Sequence, residues 1–332
     1  MSSKVGSTPH GTRTPSGWLS DYRVRVNTTL ETAAPSGTQH RIAAGEHTAT
    51  ITEVGAMVRE YRVGDVDVFV PFGVDEPSPV YNAAVLVPWP NRLRDGRYTV
   101  DGETFQLPLN EPDRGTALHG LGCWYRWELV EAAADRVTLE LALPAQKGWP
   151  FQLTSRVTYR VDAVDGLEVR VRTTNVAGGS APYGVGFHPW LSTGGADLDD
   201  CVVRLDATEH VTVDDRLLPT GVEPVTGDHD LRAPRPLKGL DLDDAWVGAV
   251  RDADGLSWCL LERPDGSTAA VWMDSSMDCW QVCSADHIAG HERFGLAAEP
   301  MSCYADAFNS GDRLVHLGPG ESHEVRWGAT LR

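Results

Sequence analysis

Residues 167–172 read Leu-Glu-Val-Arg-Val-Arg, apolar and charged in strict turn. In an extended chain a period of two puts every apolar side chain on one face and every charged one on the other. That is the signature of an antiparallel sheet with one wet face. A helix through the same residues would scatter both kinds around its circumference. The pattern continues outward. Val137-Thr138-Leu139-Glu140-Leu141 alternates in the same way, and Leu153, Val157, Tyr159 and Val161 hold one parity in between. Further strands are expected at 269–273, 279–283 and 323–331. Asp101-Gly102 between two apolar-alternating runs reads as a two-residue hairpin turn, and Gly64-Asp65 reads as a second.

The 33 glycines and 21 prolines are spread along the chain, as many short strands and turns require. No amphipathic helix longer than two turns is expected, and no internal repeat points to a propeller. Residues 227–240, rich in Gly, Pro and Asp, read as a loop, after which sheet patterning resumes. The expectation is an all-β fold, one large antiparallel sandwich domain over 18–332. Residues 1–17 are Ser, Thr, Gly and Pro rich with no apolar stretch, so they read as a disordered leader and not as a secretory signal.

Composition narrows the function. The 332 residues are 41% hydrophobic and 23% charged, ordinary for a globular chain able to bury a sizeable core. No run approaches the roughly 18 consecutive apolar residues of a membrane span. Asp and Glu outnumber Lys and Arg by 47 to 29, a formal charge of −18 that argues against nucleic-acid and anionic-membrane partners. Six cysteines without an export signal suit free thiols in a reducing, cytoplasmic compartment. Cys279, Cys283, His287 and His291 recur every four residues, but either a strand or a helix would string them along one face, so no metal is expected there. No glycine-rich phosphate loop or dinucleotide fingerprint appears, so no cofactor is expected.

Four segments place titratable residues among Gly, Pro and aromatics: Pro90-Asn91-Arg92-Leu93, Ala117-Leu118-His119-Gly120, Gly184 to Trp190 with His188-Pro189-Trp190 at its end, and Leu296 to Met301 with Ala298-Glu299-Pro300. Singly, each has a plain explanation as a paired arginine, a hydrogen-bonded histidine or an exposed loop acid. In this order they carry a resemblance to the aldose 1-epimerase (galactose mutarotase-like) family. The resemblance also takes in the hairpin 96–102, Asn110, Leu242-Asp243-Asp244-Ala245-Trp246 and Asp306-Ala307-Phe308-Asn309, and spans about residue 35 to the C-terminus. It departs where Val87-Pro88-Trp89-Pro90 replaces a frequent Gly-Arg pair, where Trp190 stands in place of a frequent Tyr, and where Gly122 is displaced by one from a double glycine. These departures bear on substrate choice more than on reaction type.

The resemblance implies a β-supersandwich with an open sugar cleft, acting on a monosaccharide as a monomer or homodimer. It implies His188 as general acid and Glu299 as general base, with Arg92, His119 and Asp243 holding the sugar, and Asn91 and Trp190 beside them. The chemistry agrees with such a pair. Epimerisation at C1 needs a base for the C1 hydroxyl proton and an acid for the ring oxygen, each supplying roughly 10²–10⁴-fold in rate. Of the eleven tryptophans, Trp89, Trp190 and Trp246 stand close to proposed site residues and are expected to stack on the sugar, the rest being core. Three other readings stay open. One is a non-catalytic sugar-binding protein, which would not need an acid–base pair. Another is a hexose-6-phosphate epimerase using Arg94 and Arg97. The last is a glycoside hydrolase built on Asp243 and Glu299, which leaves both histidines idle.

Overall fold

The computed structural model describes Met1 and residues 34–332, so the expected leader at 1–17 lies outside the described residues. The alternating stretch becomes the strand Gly166–Asn175, in which Leu167, Val169 and Val171 are buried and Arg170 and Arg172 exposed. It lies inside a nine-stranded antiparallel sheet, flanked by Leu153–Asp162 and Ser322–Leu331. The register sets Val169 opposite both Tyr159 and Trp327, so the apolar parities of three strands coincide and these large rings are fully buried. A one-residue slip would turn all of them to water.

A second, eight-stranded sheet runs in the order Pro219–Pro224, Ala207–Val213, Asp243–Ala249, Cys279–Cys283, Leu296–Met301, Gly186–Phe187, Val85–Leu86, with Trp190–Leu191 also paired to Leu296–Met301. Val169, Tyr159 and Trp327 of the first sheet share one hydrophobic core with Trp246, Trp280, Val282 and Ala298 of the second. The two sheets are therefore the layers of a sandwich.

Both hairpins form. Arg97–Val100 pairs with Glu103–Gln106 through Asp101 and Gly102 at φ 52° and 81°, the paired positive values a tight type I′ turn needs. Val58–Val63 turns at Gly64 into Val66–Asp67. Among the described residues the one α-helix is Ala307–Ser310, and no helix is long and apolar enough to cross a membrane. The stretch 227–240 is not wholly loop. Gly227–His229 is a 3₁₀ turn, and Arg235–Pro236 pairs with Val202–Leu205 at the edge of the nine-stranded sheet, where a proline without an N–H is tolerated. All six cysteines are free.

Candidate active site

Parity on the eight-stranded sheet builds the floor of the site. Gln281 faces Glu299 on one neighbouring strand and Ala245 on the other, so Asp243, Gln281 and Glu299 point to the same side. Gln281 Nε2 donates to Asp243 Oδ1 at 2.8 Å. Ala298 and Trp246, one residue along, point the other way into the main core. His188 follows the short strand Gly186–Phe187, which pairs with Met301 on one side and Val85–Leu86 on the other. This connection brings His188 Nε2 to 3.4 Å from Glu299 Oε1. Trp190 lies behind the imidazole, ring centroids 5.4 Å apart, and its indole N–H donates to the Val80 carbonyl.

The wall comes from a two-stranded ladder, Arg92–Arg94 against Thr116–Leu118. Asn91 enters it at φ 54° and His119 leaves it at φ 62°, left-handed values that asparagine and histidine tolerate better than most residues. The His119 N–H donates to the Asn91 carbonyl at 2.9 Å, and the Asn91 N–H donates to His119 Nδ1 at 3.2 Å. A ring nitrogen that accepts carries no proton, so neutral His119 bears its hydrogen on Nε2. Gly120 lets the chain turn away. At φ +69° a Cβ on it would sit 2.3 Å from the Val87 carbonyl oxygen, which itself accepts from the N–H groups of Leu121 and Gly122. Gly120→Ala is therefore expected to cost roughly 2–4 kcal/mol of stability by left-handed strain and displaced backbone. Urea unfolding measures this, and a wild-type midpoint would show that the turn can shift freely.

Arg92 spans the corner between wall and floor. Its Nε and Nη2 grip Glu111 in a fork at 3.0 and 3.1 Å, and Nη2 lies 3.6 Å from Asp243 Oδ2. Two parallel N–H···O bonds fix the plane of the guanidinium. Burial dominates the titration of the acid–base candidates. Desolvation pushes the Glu299 carboxyl well up, helped by Asp243 and opposed by Arg92. It pulls the His188 imidazole down to about 3, with Arg92 acting in the same sense. His119 is also held well below its usual value by burial, His188 and Arg92. Burial thus disfavours both the carboxylate of Glu299 and the imidazolium of His188, and a pair that carries a single proton can hold it on either partner.

Asn91, Arg92, His119, His188, Trp190, Asp243 and Glu299 all line a single cleft of about 490 Å³. A profile of the family described as aldose 1-epimerase matches residues 38–329. The chain belongs to the aldose 1-epimerase family. It is 34% identical to YihR, an uncharacterized protein of Escherichia coli (strain K12), over 87% of this chain and 92% of that one. To the galactose mutarotase of Rattus norvegicus it is 33% identical, over 46% of each chain. The solved structure of a GalM/aldose epimerase homologue from C. elegans superposes with a TM-score of 0.79 at 21% identity, over 89% of this chain and 98% of that one.

Within this aldose 1-epimerase fold the tryptophans divide differently from expectation. Trp89 packs against Trp149 and Phe308, and Trp246 is fully buried with its indole N–H on the His229 carbonyl; neither lines the cleft. Trp246 is itself of opposite parity to Asp243 on the same strand, which sends it to the core. Trp190 reaches the cleft only as the buried backing of His188. The aromatic group on the wall is Tyr81, whose ring lies 4.6 Å from His119 and 6.3 Å from His188. Tyr81, Glu111 and Gln281 were not legible as site residues. Gln281 sits in a strand that reads as core, and only its cross-strand partner Glu299 marks it. Cys279 and Cys283, four strand residues and about 13 Å apart, do not gather with His287, which pairs with Asp241 instead.

Proposed function

We propose that this chain interconverts the α and β anomers of an aldohexose such as glucose or galactose, without a cofactor. The observation that supports the reading is the meeting of Glu299 and His188 in one cleft, with His188 Nε2 3.4 Å from Glu299 Oε1. Transfer of the pair's single proton from Glu299 to His188 yields a carboxylate and an imidazolium. The carboxylate removes the C1 hydroxyl proton while the imidazolium protonates the ring oxygen. The C1–O5 bond breaks, an aldehyde forms, and rotation about C1–C2 precedes reclosure on the other face. Arg92, His119, Asp243 and Asn91 hold the sugar's oxygens. One chain supplies all six groups, so a monomer or a homodimer would serve, and the free cysteines accord with a cytoplasmic setting.

The hexose-6-phosphate reading is less well supported. Arg94 pairs with Asp306 and Asp214, and Arg97 with Gln106, so neither lines the cleft. Arg114 and Arg216 do line it, yet Glu111 holds one and Asp95 the other, and Asp113, Asp215 and Asp286 add negative charge to the rim. Polarimetry or NMR of anomer equilibration decides the matter with a panel of free aldoses and their 6-phosphates, run in chelator. Free aldoses are expected to equilibrate faster than spontaneously. Acceleration of none of them would leave a non-catalytic sugar-binding protein as the better reading.

The pH profile gives a separate test. Ordinary groups at 4.5 for the carboxylate and 6.5 for the imidazole would confine the maximum of kcat/KM to that interval. Here the acid limb records a second proton, taken up by His188 near 3, and the alkaline limb records loss of the only proton, from a Glu299 raised well above 4.5. The expected bell is therefore broader than that interval, its acid limb moved down and its alkaline limb set by the raised Glu299 carboxyl. A narrow maximum between 4.5 and 6.5 would show that the pair titrates as solvent-exposed groups do.

A further inference from the structure

The face of the eight-stranded sheet turned away from the cleft carries a second polar cluster. His210 lies opposite Trp246 in the ladder, so its parity is that of Asp244 and Trp246 and the reverse of Asp243. His229 arrives from the 3₁₀ turn Gly227–His229 and stacks on His210, ring centroids 3.7 Å apart. Both imidazoles present Nε2 to a single oxygen, Asp244 Oδ1, at 2.9 Å from His210 and 3.6 Å from His229. The three donor atoms lie within 4.8 Å of one another, and none of these residues lines the cleft.

We propose that His210, His229 and Asp244 form a binding site for a first-row transition-metal dication such as Zn²⁺. Two imidazoles and one carboxylate are a donor set suited to zinc and its neighbours, and unlike the all-oxygen sets that magnesium and calcium take. With metal–ligand bonds near 2.0–2.1 Å, tetrahedral ligands stand about 3.3 Å apart. The two nitrogen–oxygen separations, 2.9 and 3.6 Å, bracket that spacing. The ring planes now open by only 13°, so one imidazole must swing for both lone pairs to converge. His229 is the one placed to do so, on a short turn with 40% of its side chain exposed. Water would complete the fourth position. The carboxylate is already oriented, because Asp244 Oδ2 accepts the N–H of Asp243 at 3.2 Å. Asp228 next to His229 is engaged by Arg235 and is not needed as a ligand. A bound ion would tie together the strands Ala207–Val213 and Asp243–Ala249 and the 3₁₀ turn, and so brace the strand that carries Asp243 into the cleft.

The test uses untagged full-length protein stripped with chelator, dialysed, and titrated with ZnCl₂ by calorimetry and by competition with a chromophoric chelator. Co²⁺ serves as the spectroscopic probe of tetrahedral nitrogen and oxygen ligation. One equivalent of Zn²⁺ is expected to bind, weakened at least roughly tenfold by His229→Ala and by Asp244→Asn, with no comparable response to Mg²⁺. Circular dichroism and thermal midpoints establish that both variants fold, and Zn²⁺ should raise the wild-type midpoint but not theirs. Absence of saturable binding to the wild type, equal zinc binding by the folded His229→Ala protein, or equal affinity for Mg²⁺ would each overturn the assignment.

Discussion

Glu299→Gln is expected to lower kcat by at least roughly 10²-fold with a much smaller change in substrate affinity, because the amide keeps the shape and removes the proton carrier. The side chain is 2% exposed and faces His188 across 3.4 Å. His188→Asn should act likewise from the other side of the pair. The two residues lie 3.4 Å apart, and in the proposed reaction both proton transfers serve one ring-opening step. The double variant should therefore lose far less than the product of the single losses. Stopped-flow polarimetry of an aldose that the wild type handles well measures all three. A Glu299→Gln protein of near-normal turnover would remove the carboxyl from the reaction and favour a binding role for the cleft. Burial disfavours the charged form of each residue, so neither substitution should strand a charge and thermal midpoints should stay close to wild type.

Arg92→Ala is expected to behave differently, with losses in both binding and folding. The guanidinium is about 10% exposed and neutralises Glu111 and Asp243 together. Deleting it leaves two carboxylates half-sheltered from water at the same corner, which costs about 2–4 kcal/mol. At about 2–4 °C per kcal/mol for a chain of this class, the thermal midpoint should fall by several degrees. KM should rise if, as proposed, Arg92 also holds an oxygen of the sugar from this corner. Arg92→Lys keeps the charge but cannot grip Glu111 with two parallel bonds, so it should recover most of the stability and little of the affinity. Asp243→Ala separates the effects, since it removes a proposed sugar contact while Glu111 continues to hold the arginine. It should raise KM with a smaller loss of stability. If Arg92→Ala changed neither KM nor the midpoint, the corner would be neither a binding element nor a structural one.

The glutamate and the histidines were legible because each sits in a short, unusual segment: His119 before a glycine that no other residue can replace cheaply, His188 before Pro-Trp, Glu299 before Pro. Glu111 and Gln281 were not, because nothing in their neighbours distinguishes them from a loop acid and a strand amide. Trp246 shows the opposite error. Three residues from Asp243 along the chain, it lies on the other face of the sheet, since nearness in sequence is not nearness in space when side chains alternate.

The sequence by itself determined the all-β class, the parity of the central strands, both tight hairpins and, through the order of its segments, the family. These follow from local causes: the pleat imposes a period of two, and positive φ demands particular residues at turns. Only the tertiary structure decided which face of each strand meets the cleft, which aromatics become core, and that Arg92 is locked to Glu111. It also displaced the titration of the pair, Glu299 upward and His188 downward, because strands far apart in the chain bury both. The gathering of His210, His229 and Asp244 is of the same kind. No spacing announces it, since the cluster exists only once two strands and a turn are packed side by side.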